Sequence, residues 1–508
     1  SDFGGYYTGY SAYGVFARGA YAEVANSGSI TAEGNAYATG IAATSYYGTS
    51  VHNTGGDINV SADGALAYVS GYYGGYYVLV GGATGISATS LLGDVDVTNA
   101  SDIHASATYV NATGIYATTI GDIAITNSGD ITGSSEYGLA FGIRAIDAYL
   151  YGFGYATGAV TVNNSGDISL ETPYAGFGRA VGIDAYRAYG EVSVTNSGNI
   201  DIYAGGRSYG INAGVKYGDV AVNNSGDITM LSHTDAQTGI QASSGNFFVG
   251  GGDVSVVNSG DISVHSDYGF AAGIGAVAGS VMAPYGNSYI RNSGNIDVFG
   301  QYFAAGIQTR ASEGNATVVN SGDVHVATGA YFDYYDPGSA VGIGVLTFFG
   351  GDLTIQNSGD VSVDGETHAY GLYAKSNNDG NVSITNSGDV DVTTASTVAR
   401  GVFAYDFYGN ITVNNTSAGH IDASGGLVAF GVHTASYDGT VTVNNAGSLH
   451  AGGASYLAAA VAFENIAGAN TLNNAATGVI GASGDDGYAW AVLGSDVVET
   501  INNSGRIN

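Results

Sequence analysis

Asn386-Ser387-Gly388-Asp389-Val390-Asp391-Val392 reads as N-S-G-D followed by an apolar, polar, apolar alternation. The phrase is one of sixteen copies between Asn26 and Asn503, among them Asn127, Asn164, Asn196, Asn224, Asn258, Asn292, Asn320 and Asn357. Intervals between marker Asn residues run mostly from 27 to 37 residues, with one of 46. A short unit repeated along a whole chain specifies a stacked array, and it constrains architecture far more than chemistry.

Working outward from the phrase, each interval has three apolar pieces. Just before the Asn stands a run such as Asp219-Val220-Ala221-Val222, and just after it a run such as Asp261-Ile262-Ser263-Val264. A Gly-apolar-x-Ala piece follows later, as in Gly182-Ile183-Asp184-Ala185 and Gly371-Leu372-Tyr373-Ala374. Each piece is short, alternates with period two, is rich in β-branched residues and is bounded by Gly, Asn, Asp or Ser, which predicts a strand. Equivalent strands return with the same polarity about every 30 residues, so parallel pairing of equivalents is expected and hairpins are not. The fold class is therefore all-β: a single parallel β-helix solenoid over 1–508, with right-handed crossovers expected, three strands per turn and about sixteen turns of roughly 28–37 residues.

The phrase then acquires mechanical roles. Its Val and Ile face the lumen, Ser-Gly turns the corner with Gly supplying a backbone conformation that other residues resist, and Asn bonds its own corner and its copies in neighbouring turns. The nine Asn residues named above are structural corner residues on this reading. Asp130, Asp167, Asp227, Asp261, Asp323, Asp360 and Asp389 follow the corner glycines and are expected as outward-facing Asx-type caps. Like charges stacked one strand apart repel, so the alternative role for this column is a Ca²⁺ ladder, although Asn199 and Asn295 interrupt it.

Composition narrows the function classes. The chain has 508 residues, 84 Gly, 39 Tyr, no Cys, and a net charge of -32 from 43 acidic and 11 basic residues. So few cations argue against nucleic acid and anionic membranes as partners. Abundant Val, Ile and Ala supply enough apolar material to bury, which argues against disorder. A charged-then-apolar leader is not evident at Ser1, nor is a run of about 18 apolar residues, so membrane insertion by this segment is not expected.

Variation is concentrated between the strands. Tyr46-Tyr47, Tyr72-Tyr73 with Tyr76-Tyr77, and Tyr331 with Tyr334-Tyr335 mark insertions, the longest being a Tyr/Gly-rich loop over 62–82. Such loops on a regular scaffold are the expected interaction surface, with Tyr offering a flat apolar face and a polar tip for glycans or proteins; the alternative is shielding of strand ends. From Asn445 to Asn508 the signature decays, giving degenerate turns. The chain opens and closes within a turn, which implies either a segment of a longer protein or head-to-tail self-association.

Chemistry is sparse. Nine His residues stand apart, without the spacing of a transition-metal site, and are expected on solvent-facing strand positions. No catalytic set and no cofactor other than Ca²⁺ is predicted. The enzyme alternative is polysaccharide cleavage, for which Glu136, Asp147, Asp184, Asp485 and Asp486 supply carboxylates, with Arg144, Arg179, Arg187 and Arg207 loosely clustered beside them.

With N-S-G-D-I and G-I-x-A repeating across essentially its whole length, the chain resembles the repetitive passenger regions of bacterial autotransporter-type surface proteins and large adhesins. That resemblance implies a secreted, right-handed parallel β-helix on a Gram-negative cell surface, acting in adhesion, aggregation or matrix formation, with itself or with host or bacterial glycans and proteins as partners. A phage-type fibre shares the same corner chemistry. Such passengers have scaffold residues in common and no common active site, so the resemblance assigns no functional residue.

Overall fold

A computed structural model describes the chain except residues 1–5, 8–9, 72–73, 148–156, 175–177, 246–250, 280–285, 330–337 and 485; for 6–7, 66–71 and 74–78 it describes the backbone only. There is no helix among the described residues. Three parallel sheets of sixteen strands each form a β-solenoid, with one strand of every sheet in each turn. Two compact units divide it, Ser1–Gln241 and Ala242–Asn508.

In the first unit a representative turn runs Val192–Asn196, Ile200–Ala204 and Ser208–Tyr217. The two short strands alternate as the sequence predicts: Val192, Val194, Ile200 and Ile202 are buried while the residues between them face out. Each buried Val or Ile contributes about 1.5–3 kcal/mol of apolar burial, and the parallel register multiplies that gain turn by turn. Val160, Val192 and Val220 stack in line, as do Asn164, Asn196 and Asn224.

The third strand is longer than its sequence signature suggests, up to ten residues, and buries several consecutive positions in place of a clean alternation. Its Gly packs against backbone. A Cβ on Gly182 would stand 2.5 Å from the Gly210 carbonyl oxygen and 2.7 Å from Ile200 Cγ2. The outer side chains of this sheet therefore project from a strand pressed close to its neighbours.

The second unit repeats the plan with Leu353–Asn357, Val361–Gly365 and His368–Ser376, followed in register by Val382–Asn386, Asp389–Thr394 and Val398–Asp406. All three sheets persist through the region of decayed signature, to Tyr488–Leu493, Val498–Asn503 and Arg506–Ile507. At Asn474 the decay reflects a longer corner: Ala475-Ala476-Thr477 precede Gly478, and the amide reaches the carbonyl four residues on, at 3.3 Å, whereas Asn445 still reaches Gly447, two residues on, at 3.2 Å.

Two expectations need correcting. The corner glycines of N-S-G-D, such as Gly198 and Gly388, do not have positive φ; that conformation occurs at other glycines, Gly190 and Gly218 among them. Gly is required at the corner by close stacking, since a Cβ on Gly198 would sit 2.0 Å from the Gly166 carbonyl oxygen. The 62–82 insertion is also not a loop. It carries an antiparallel hairpin, Ala65–Gly71 with Gly74–Val80, onto which Tyr6–Tyr7 pairs antiparallel, and it ends where the next long strand begins at Gly82.

Candidate functional site

The corner residues form ladders, and their hydrogen bonds account for them. In the first unit Asn127 donates to Asn164 Oδ1 at 2.8 Å, and Asn164 donates to Asn196 Oδ1 at 2.8 Å and to the Gly166 carbonyl at 2.7 Å. In the second unit the ladder runs Asn258, Asn292, Asn320, Asn357, Asn386 at 2.8 to 3.0 Å. The nine corner Asn residues are all at most 3% exposed. Every amide is spent on stacking, which is what a buried polar group requires.

The Asp column does something the sequence did not reveal. Asp130 Oδ1 accepts the backbone N–H of Asp167 at 2.9 Å, and Asp167 Oδ1 accepts that of Asn199 at 2.7 Å. In the second unit Asp261, Asp323 and Asp360 accept from Asn295, Asp360 and Asp389 at 2.7, 3.0 and 3.0 Å. Asn199 passes the same bond to Asp227 at 3.1 Å. Asp130, Asp167, Asp261, Asp323 and Asp360 thus cap the following turn, and the described residues hold no group of three or more His, Asp or Glu side chains able to hold a metal ion.

Among the Tyr insertions, Tyr46 and Tyr47 are exposed and pack edge to face at 4.8 Å. Tyr72, Tyr73, Tyr331, Tyr334 and Tyr335 lie outside the described residues, as do the side chains of Tyr76 and Tyr77. Elsewhere rings stack between turns: Tyr109, Tyr137 and Tyr174 lie face to face at 5.1 and 4.4 Å.

The loose Arg cluster resolves into separate contacts. Arg144 meets Asp184 at 3.4 Å over the Phe141 ring, while Arg179 and Arg207 both lie against Tyr209. Arg187 is fully buried: it bonds the carbonyls of Gly158, Thr119 and Ile120 and pairs with Asp147 at 3.2 Å. Burial pushes the Asp147 carboxyl up even beside that cation. Arg187 is thereby committed to holding three turns together.

A cluster of aromatic and polar side chains lies on the outer face of the long-strand sheet in the second unit. Four successive strands, His368–Ser376, Val398–Asp406, Val428–Ser436 and Leu457–Asn465, align Tyr370, Arg400, Phe430 and Ala459 in one column and Tyr373, Phe403, His433 and Ala462 in the next. The Arg400 guanidinium lies 5.3 Å from the ring centres of Tyr370 and Phe403 and 5.7 Å from that of Phe430. It donates Nε–H to His433 Nδ1 at 2.9 Å and Nη1–H to the Tyr370 hydroxyl at 3.1 Å. His433 Nε2 then stands 3.2 Å from Glu464 Oε2. Tyr370, Arg400, His433 and Glu464 form one polar row through four turns.

The row's protonation follows from its contacts. Since Nδ1 of His433 accepts from Arg400, the ring carries its proton on Nε2, toward Glu464. The hydrogen bond from His433 holds the Glu464 carboxyl below the usual range. Burial pushes the Tyr373 hydroxyl up to about 12, and burial followed by the Arg400 charge pushes His368 down. Two of the five Arg400 N–H groups are engaged, which leaves three without a described partner beside flat aromatic faces. Such a platform stacks on a ring and hydrogen-bonds to its substituents.

This site was missed at the sequence level, and His433 contradicts the expectation of solvent-facing histidines, being 4% exposed. The signal was present: aligning the turns on Gly371, Gly401 and Gly431 places Tyr370, Arg400 and Phe430 one residue before each Gly. Compared with family models, curated proteins and solved structures, the chain finds no match.

Proposed function

We propose that this chain is an extracellular structural and adhesive protein, a rigid repeat scaffold displayed at a bacterial surface that binds glycans through the aromatic face around Arg400. The observation that carries the reading is the enclosure of one guanidinium by Tyr370, Phe403 and Phe430 on an outer sheet face. Aromatic rings and a planar cation give contact area at low conformational cost, which suits a binding surface. Titrating the protein against an immobilised glycan panel tests it. Wild type should bind members of the panel, and Arg400→Ala and Phe403→Ala should weaken that binding at least tenfold; no binding to any glycan, cell or second copy sinks the reading.

A polysaccharide-active enzyme is the second reading, and the hydrogen-bonded row Arg400, His433, Glu464 is what favours it. Turnover of acidic or neutral polysaccharides, abolished by His433→Ala, would replace adhesion with catalysis. Silence across a broad panel of reducing-end and unsaturated-product assays would remove it.

A further inference from the structure

A second surface of the second unit carries a separate array. The strands Ile411–Asn415, Val441–Asn445, Ala469–Asn474 and Val498–Asn503 stack in register, which lines up Asn414, Asn444, Asn473 and Asn502 on the outer face. Asn444 donates to Asn414 Oδ1, Asn473 to Asn444 and Asn502 to Asn473, each at 2.8 Å. Beside them the buried ladder Asn415, Asn445, Asn474 donates in the opposite direction at 2.9 Å. Between the two ladders and the small corner residues Ala446 and Ala475 lies a groove of about 360 Å³.

The inner ladder is scaffold, because every turn has it. The outer column is not required for folding. In earlier turns it holds Thr126, Asn163, Thr195 and Asn223 in the first unit, and Val257, Arg291, Val319, Gln356 and Thr385 in the second, never two Asn in succession. Four consecutive Asn residues occur only where the groove lies. Asn444, Asn473 and Asn502 each spend one N–H on the preceding amide and retain another, so a donor and acceptor repeat at the strand spacing of about 4.8 Å. One position before the intervening inward residue, Thr412, Thr442, Thr471 and Thr500 add a parallel column of hydroxyls.

From this we infer that the Asn414–Asn502 groove is a binding site for a linear, neutral, hydroxyl-rich polysaccharide laid along the stacked turns. A periodic row of uncharged donors and acceptors matches a polymer whose hydroxyls recur along its axis, and amides bind hydroxyls without requiring charge. On a chain of net charge -32 an acidic polymer meets repulsion that a neutral one does not. The site shares no residue with the Arg400 row and stands whether or not that row binds glycans.

The experiment is calorimetric titration of the whole chain with linear β-glucan and xylan oligosaccharides, with polygalacturonate as the acidic comparison. In the Arg400→Ala background, which removes the aromatic row, the chain still binds a neutral oligosaccharide, insensitive to salt, and adding Asn444→Thr/Asn473→Thr weakens that binding at least tenfold. Thr already occupies this column at Thr385, so the double variant should melt with wild type. Ala446→Tyr, which fills the groove from its corner and leaves both ladders in place, loses binding in the same way. The inference is overturned if neither neutral oligosaccharide binds wild type, if either variant in that background binds as Arg400→Ala itself does, or if polygalacturonate is preferred. Loss of binding in Arg400→Ala alone would assign the sugar to the aromatic row and overturn the groove.

Discussion

Asn164 and Asn196 share a buried hydrogen bond of 2.8 Å, and the same Asn164 amide closes its own corner on Gly166 at 2.7 Å. The Asn is thus both a turn residue and the link between turns. Asn164→Leu would orphan the Asn196 acceptor and one Asn127 donor, both on buried side chains. Two such losses cost on the order of 2–6 kcal/mol. Hydrogen exchange should show lost protection in Ile123–Asn127 and Val192–Asn196 but not in distant turns, as nearest-neighbour coupling in a repeat array demands. Unchanged protection there would remove the ladder as a source of stability.

The Asp column makes a sharper distinction. Asp167 Oδ1 receives the Asn199 backbone N–H at 2.7 Å, and Asn199 Oδ1 does the same for Asp227 at 3.1 Å. What the position needs is an acceptor oxygen, not a charge. Asp167→Asn should keep or slightly raise the urea midpoint, by relieving repulsion with Asp130, while Asp167→Ala should lower it. Equal midpoints for the two variants would show that the bond between turns is energetically idle.

Sequence reasoning recovered the repeating scaffold because its determinants are local. N-S-G-D-V in Asn386–Val390 identifies a corner and a strand by chemistry alone, and parallel stacking follows from the repeat. The Arg400 row was hidden because its members lie 30 to 33 residues apart, a separation set by corner and insertion lengths that alternation does not specify. The hairpin at Ala65–Gly71 and Gly74–Val80 was obscured for a related reason: its second strand opens on Gly74-Gly75-Tyr76-Tyr77 and closes on the unbroken apolar run Val78-Leu79-Val80, so its period-two signal is weak against a loop reading.

Gly198 offers a test of why corners need Gly. With φ outside the left-handed region, conformation alone would tolerate Ala, but the added Cβ would meet the Gly166 carbonyl oxygen at 2.0 Å and its carbon at 2.5 Å. Both are backbone atoms with no flexible end to move. Gly198→Ala should therefore cost about 3 kcal/mol, as overpacking does, and lower the melting temperature. A neutral effect would restore backbone conformation, and not stacking, as the reason for the residue.

Asp406 couples the second unit to pH. It is fully buried, in the column where Ser436 and Asn465 stand in the next two turns, and burial pushes its carboxyl up to about 6. The folded chain then holds the proton more tightly than the unfolded chain, whose carboxyl titrates near 3.8. The protonated form's contribution is fully present below about pH 4 and is lost as pH rises through about 6, a difference of about 3 kcal/mol. Asp406→Asn supplies a neutral amide of the kind Asn465 already provides, so it should stabilise the unit at pH 7 and change little at pH 4. Denaturation of wild type and variant at both pH values isolates this group from the general self-repulsion of an acidic chain. If the difference between them is the same at pH 4 and pH 7, Asp406 is ionised throughout, and its hydrogen bond to the Gly409 N–H outweighs the cost of burial.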